Sequence, residues 1–175
     1  TAQFNFTKKL EGKTLEADAF TFELLENGHV IQTKKNKADG TIQFDAISYA
    51  TEGTHTYTVR EVARTDTDID YDSMNAEVTV NVTKNATTGV LTANVVMPAD
   101  SEFNNYAVAP VTAQFDFSKV LSGRTLKDGE FSFVLKDATG KVLQTKTNDA
   151  SGKVAFDALT YKNNEVGIRS EEHTS

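Results

Sequence analysis

The chain has 175 residues, 38% apolar and 25% charged, enough to bury the core of one large or two small domains and too apolar for a disordered chain. Its 18 basic and 25 acidic side chains leave a net charge of −7, which argues against a nucleic-acid or anionic-membrane partner, since either requires a basic face. Cys is absent, which excludes disulfides, thiolate nucleophiles and Cys-bound metals, and no apolar run is long enough for a membrane-spanning helix.

Helical periodicity is missing, and two-residue alternation runs from end to end. Phe4, Phe6, Lys8 and Leu10 share one face of a first predicted strand. Phe20, Phe22 and Leu24 share a face of the second. A short third strand covers residues 30–34, and Ile42, Phe44 and Ala46 lie on a fourth. Tyr57, Val59 and Glu61 share a face of the fifth. Val78, Val80 and Val82 mark the sixth, residues 91–97 the seventh, and residues 102–106 a closing strand with Phe103 and Asn105 on one face. Turn residues separate them at 26–28, 38–40 and 87–89. Seven or eight short Thr- and Val-rich strands in about a hundred residues predict an all-β sandwich.

The chain also repeats itself. Residues 1–10, TAQFNFTKKL, return at 112–121 as TAQFDFSKVL. Gly12, Thr14 and Leu15 align with Gly123, Thr125 and Leu126, and FTFEL at 20–24 with FSFVL at 131–135. After one inserted residue, Asn36, Ala38 and Gly40 align with Asn148, Ala150 and Gly152, and FDAISY at 44–49 with FDALTY at 156–161. The repeat is domain-sized rather than solenoid-sized. The expected organisation is a complete module over residues 1–106 and a short Pro-containing linker over 107–111. The N-terminal half of a second, truncated copy follows over 112–168. Without an initiator Met, the chain reads as a fragment. Residues 169–175, RSEEHTS, look like the translation of a sequencing-library adapter and are expected to be a non-native tail without regular structure.

Alternation puts three polar groups on faces that should point inward: Lys8, Glu61 and Asn105. A buried Lys or Glu is costly unless neutralised or paired. A Lys8–Glu61 ion pair with Asn105 hydrogen-bonded beside it would satisfy all three. The motifs that carry these residues, FNFTKKL at 4–10, YTVRE at 57–61 and FNNY at 103–106, together resemble the streptococcal pilin isopeptide-linkage domain family. These are the self-crosslinking, Ig-like (CnaB-like) modules of Gram-positive pilins and surface proteins. The resemblance covers the first module and, through the repeat, the start of the second.

The resemblance implies that Lys8 attacks the side-chain amide of Asn105, that ammonia leaves, and that Glu61 shuttles the proton. The chemistry is physically coherent. An amine attacks only when uncharged, and burial favours that form. A buried carboxyl is pushed toward its protonated form, able to donate to the amide oxygen and polarise the carbonyl. Folding supplies the effective concentration. Phe4, Phe6, Tyr57 and Phe103 are the expected walls of the pocket. Lys9 and Asn104 are the adjacent alternatives, and alternation turns both outward. Lys119 is the second-copy lysine, expected to be unreacted. The reaction is single-turnover, so no enzyme is expected.

Asp66, Asp68, Asp70 and Asp72, with Glu77 in twelfth place, imitate a calcium loop, but Tyr71 stands where the sharp turn needs Gly. An exposed, metal-free acidic loop is expected over 65–72, and no cofactor anywhere. Together these features predict a stalk or backbone module on the cell-wall-anchored surface of a Gram-positive bacterium. Its expected partners are neighbouring modules, with other pilin subunits or host ligands as further candidates. The alternative is an adhesin domain recognising a host or matrix component through its loops.

Overall fold

In the computed structural model, which describes residues 1–66, 68–165, 167 and 171–174, each alternating segment extends into a strand with its apolar residues on one side. The chain folds as two units, Thr1–Val108 and Ala109–Ser175.

The first unit contains β1 (Asn5–Glu11), β2 (Thr21–Glu26), β3 (His29–Lys35), β4 (Thr41–Gln43), β5 (Gly53–Glu61), β6 (Ile69–Asp70), β7 (Asn75–Lys84), β8 (Leu91–Val96) and β9 (Glu102–Ala107). They form two sheets, ordered β4-β1-β9-β6 and β3-β2-β5-β7-β8. The inward faces of both supply one core, including Phe4, Phe6, Phe22, Leu24, Ile42, Phe44, Tyr57, Val59, Val78, Val80 and Phe103. This is a β-sandwich, and the period-two pattern dictates it, because one face of each strand must leave water. Asn27 and Gly28 both have positive φ, at 52° and 78°, and close the β2–β3 hairpin as the two-residue loop that matches strand twist.

Strands β1 and β9, the first and last of the unit, are parallel neighbours, with Lys8 opposite Phe103 and Leu10 opposite Asn105. A parallel pair cannot be closed by a hairpin, and here the whole intervening chain is the crossover.

Three details depart from the strand reading. Strand β4 ends at Gln43, so Ala46 is exposed, although Phe44 remains buried. Two residues of the expected loop, Ile69 and Asp70, form β6 against β9. Ile69 is buried, and Tyr71 and Asp72 are half-buried, so the segment is only partly the exposed loop that its acidic composition implied.

The second unit contains β10 (Val111–Ala113), β11 (Asp116–Ser118), β12 (Ser132–Asp137), β13 (Val142–Thr147), β14 (Lys153–Ala155), β15 (Leu159–Tyr161), a 3-10 turn at Asn163–Glu165, and β16 (Glu171–Thr174). Phe133, Leu135, Val154 and Phe156 form its small core. Strand β16 corrects the expectation that the tail is irregular: it pairs antiparallel with β12, from Val134 opposite Thr174 to Asp137 opposite Glu171. It takes on β12 the place that β5 takes on β2. An edge strand offers backbone donors and acceptors to any extended segment, whatever its side chains. Arg169, Ser170 and Ser175 of that tail lie outside the described residues.

Candidate functional site

The β1 alternation aims Lys8 inward, and its backbone N–H donates to the Gly40 carbonyl at 2.7 Å. Residue 40 must be glycine for this approach. Its φ is +90°, and a Cβ there would lie 2.4 Å from the Lys8 carbonyl oxygen. Glu61 is the final residue of β5, opposite Phe22 on β2, and enters from the other sheet. Asn105 is on β9. Lys8, Glu61 and Asn105 are 4%, 8% and 0% exposed, so their polar atoms depend on one another rather than on water.

The Glu61 carboxylate lies between the other two. Lys8 Nζ donates to Oε2 at 2.9 Å, and Asn105 Nδ2 donates to Oε1 at 2.6 Å. The remaining amide atom, Asn105 Oδ1, accepts the backbone N–H of Asp72 at 2.8 Å. A backbone N–H can only donate, so this contact fixes which end of the amide is oxygen and turns Nδ2 toward Glu61. Glu61 therefore meets the nitrogen of the amide, not the oxygen to which the sequence reading has it donate.

Burial is the largest influence on both ionisable groups. It lowers the Lys8 amine below its ordinary value, against the opposing pull of Glu61, and raises the Glu61 carboxyl, against Lys8 and the Asn105 hydrogen bond. Both directions favour an uncharged amine beside an uncharged acid. The nearby Asp72 charge adds to the rise at Glu61.

The rings facing the amine are Phe20, 4.7 Å from Nζ to its centroid, and Phe22 at 5.9 Å. Of the four aromatics expected around the cluster, Phe4 and Tyr57 pair with each other at 5.7 Å. Phe6 packs on Phe103, and Phe103 reaches the wall through Phe22 at 5.2 Å. Strand β2 crosses the pocket, whereas the sequence reading draws the walls from the strands that carry the polar residues.

Lys9 is exposed, 3.7 Å from Glu11, and Asn104 is half-buried, so neither reaches the cluster. Lys119 is half-buried directly after β11, its N–H donating to Gly152 at 2.6 Å and its amine 4.6 Å from the Phe131 centroid. Those contacts correspond to Lys8 with Gly40 and Phe20. Two acidic residues of 65–72 have other engagements. Asp66 accepts from Arg64 and Tyr71, and Asp72 accepts backbone N–H groups of Met74 and Asn104.

Two contributors escape the sequence reading. Asn36, 1% exposed, accepts the Phe20 N–H and donates to the Glu16 and Lys37 carbonyls, and so fixes the ring over Lys8. Asn148 makes the matching set with Phe131, Lys127 and Asp149. An asparagine kept in both copies, four residues before a kept glycine, is the available signal. Asp72 acts through its backbone N–H, which no residue type announces.

A family model described as the Spy0128-like isopeptide containing domain matches residues 4–107, more than half of the chain and all three site residues. The chain belongs to this family. Among solved structures, the likeness to the major pilin (T-13) of Streptococcus pyogenes has 15% identity and a TM-score of 0.43, covering 99% of this chain and 76% of that one. A second major pilin from Streptococcus pyogenes gives 16% and 0.46, covering 99% and 73%. The Bacillus anthracis TIE protein gives 16% and 0.34, and this chain, covered to 99%, spans 28% of its length. No curated protein matches. The assignment rests on the family model.

Proposed function

We propose that this isopeptide-family chain is a structural module of a Gram-positive pilus or cell-wall-anchored surface protein, held closed by an amide bond between Lys8 and Asn105. The observation that carries the reading is the buried Glu61 carboxylate bonded to the Lys8 amine on one oxygen and to the Asn105 amide nitrogen on the other. The uncharged Lys8 Nζ attacks Asn105 Cγ, and the protonated Glu61 gives its proton to Nδ2 while its other oxygen takes one from the attacking nitrogen. The Cγ–Nδ2 bond breaks and ammonia leaves, so that a neutral amine and a primary amide become a secondary amide and ammonia. The position of Glu61 at Nδ2 suits the transfer to that atom, since a poor leaving nitrogen requires protonation.

The reaction occurs once per chain, so the module is a self-crosslinking element rather than an enzyme. Its purpose is mechanical. In the parallel β1–β9 pair, tension between the ends of the module shears one strand past the other. A bond from residue 8 to residue 105 carries that load directly and leaves the intervening chain slack. The unit Ala109–Ser175 carries the second copy of the repeat, with Lys119 as its lysine and tandem modules and pilus subunits as the natural partners.

Intact mass of the purified chain is the test. The wild type is expected one ammonia lighter than its sequence, and Lys8→Ala, Asn105→Ala and Glu61→Ala each at full mass. A folded wild type at full sequence mass would leave the three residues as an ordinary buried polar cluster.

A further inference from the structure

We infer that the backbone N–H of Asp72 stabilises the oxygen of Asn105 while ammonia is being lost, and that the Asp72 side chain is the positioning group that holds this donor in place. The inference rests on the crosslinking reading above and concerns the half of the reaction that Glu61 does not serve. When Lys8 Nζ adds to Asn105 Cγ, the carbonyl electron pair moves onto Oδ1, and it returns when the Cγ–Nδ2 bond breaks. Glu61 is on Nδ2, so another group must meet the charge that develops on Oδ1. The Asp72 N–H is already 2.8 Å from that atom, which belongs to a fully buried side chain. A fixed donor of this kind needs no reorganisation as charge appears.

The surrounding structure explains why this one N–H is free to serve a side chain. Strand β6 follows the β9 ladder for two residues, Ile69 opposite Ala107 and Asp70 opposite Tyr106. It then leaves the ladder, and Asp72 grips β9 by its side chain. Asp72 Oδ2 accepts the Asn104 N–H at 2.8 Å, next to Asn105 in the chain, and Oδ1 accepts the Met74 N–H at 2.8 Å. The carboxylate thus ties its own backbone to the strand that carries the reacting amide. The segment is pinned again at Tyr71, whose ring packs edge-on against Phe20 at 5.9 Å. Its hydroxyl accepts from Arg64 and donates to Asp66. Phe20 is the ring over the Lys8 amine, so one short segment meets the pocket on both the nucleophile and the electrophile sides.

The test removes the donor alone. The full chain is synthesised in denaturant with an ester replacing the amide N–H of residue 72, the aspartate side chain being retained. It is diluted into folding buffer, and ammonia loss is followed by mass across a range of pH beside the wild type. Loss of one such donor is expected to slow the reaction about 100-fold. The shape of the pH dependence should not change, since burial of Lys8 and Glu61 sets it. Reaction at the wild-type rate overturns the inference. Slowing with a displaced pH profile also overturns it, because the N–H would then have acted by keeping the pocket dry. A wild type that loses no ammonia removes the crosslink reading and this inference together, a result distinct from either of those. If the ester chain does not fold, Asp72→Ala decides, since it keeps the N–H but releases its anchor. Ammonia loss slower by about tenfold or more supports the inference, given the sensitivity of such reactions to displacement, and an unchanged rate overturns it.

Discussion

Replacing Lys8 with methionine removes the amine and leaves an apolar chain of similar length in the same slot. In the crosslinked protein the bond spans residues 8 to 105, and closing a loop of about 97 residues constrains the unfolded chain by about 4–5 kcal/mol. The unit concerned, Thr1–Val108, unfolds with an entropy of about 0.2 kcal/mol/K at typical per-residue values. The expected fall in Tm at neutral pH is therefore about 20 °C. A second effect is common to the variant and the crosslinked wild type, in which Lys8 is a neutral amide. Without the Lys8 charge, nothing cationic opposes the burial of Glu61, whose carboxyl is already raised above its ordinary 4.5. A group raised in the folded state stabilises below its unfolded value, and that stability is lost as pH rises through the folded value. Both proteins should thus be most stable near pH 4 and weaken toward neutrality. The crosslinked wild type has no Lys8 amine left to titrate. Calorimetry of the two full chains at several pH values reads both effects. A neutral-pH decrease below about 5 °C would count against the covalent loop, since the chain-entropy constraint for a loop of that length predicts about four times as much.

Gly40→Ala puts a Cβ against the Lys8 carbonyl and forces the β1 backbone away from the pocket. Chemical denaturation should show a loss of more than about 2 kcal/mol, and mass spectrometry should show incomplete crosslinking. Asn36→Ala strands the buried Phe20 N–H, and the same denaturation assay should read a loss of about 2–4 kcal/mol. In single-molecule pulling, Lys8→Met should release about 330 Å of chain between residues 8 and 105, at roughly 3.4 Å per residue, as the first unit opens. The wild type should release none of that segment. A wild-type step of the same length would show the load passing through the sandwich rather than across the bond.

The sequence by itself determined the strands and their inward faces. Period-two alternation is a local property, and burying one face of each strand follows from it. It also exposed the repeat and singled out Lys8, Glu61 and Asn105, because a charged or amide side chain in a run of inward Phe, Val and Tyr is visible without coordinates. What it left to the tertiary structure was decided by contacts between distant segments. Strand β6 has only two residues and no pattern of its own, and it forms because β9 offers an edge beside it. The tail strand β16 forms on β12 for the same reason, against what its charged composition suggested. The wall of the pocket came from Phe20 and Phe22 because β2 and the residue just before it, not β1 or β9, lie over the amine. The orientation of the Asn105 amide was decided by one backbone N–H from residue 72, and every peptide but proline's carries that group. Side-chain identity is written in the sequence, but the direction of a backbone donor exists only once the chain has folded around it.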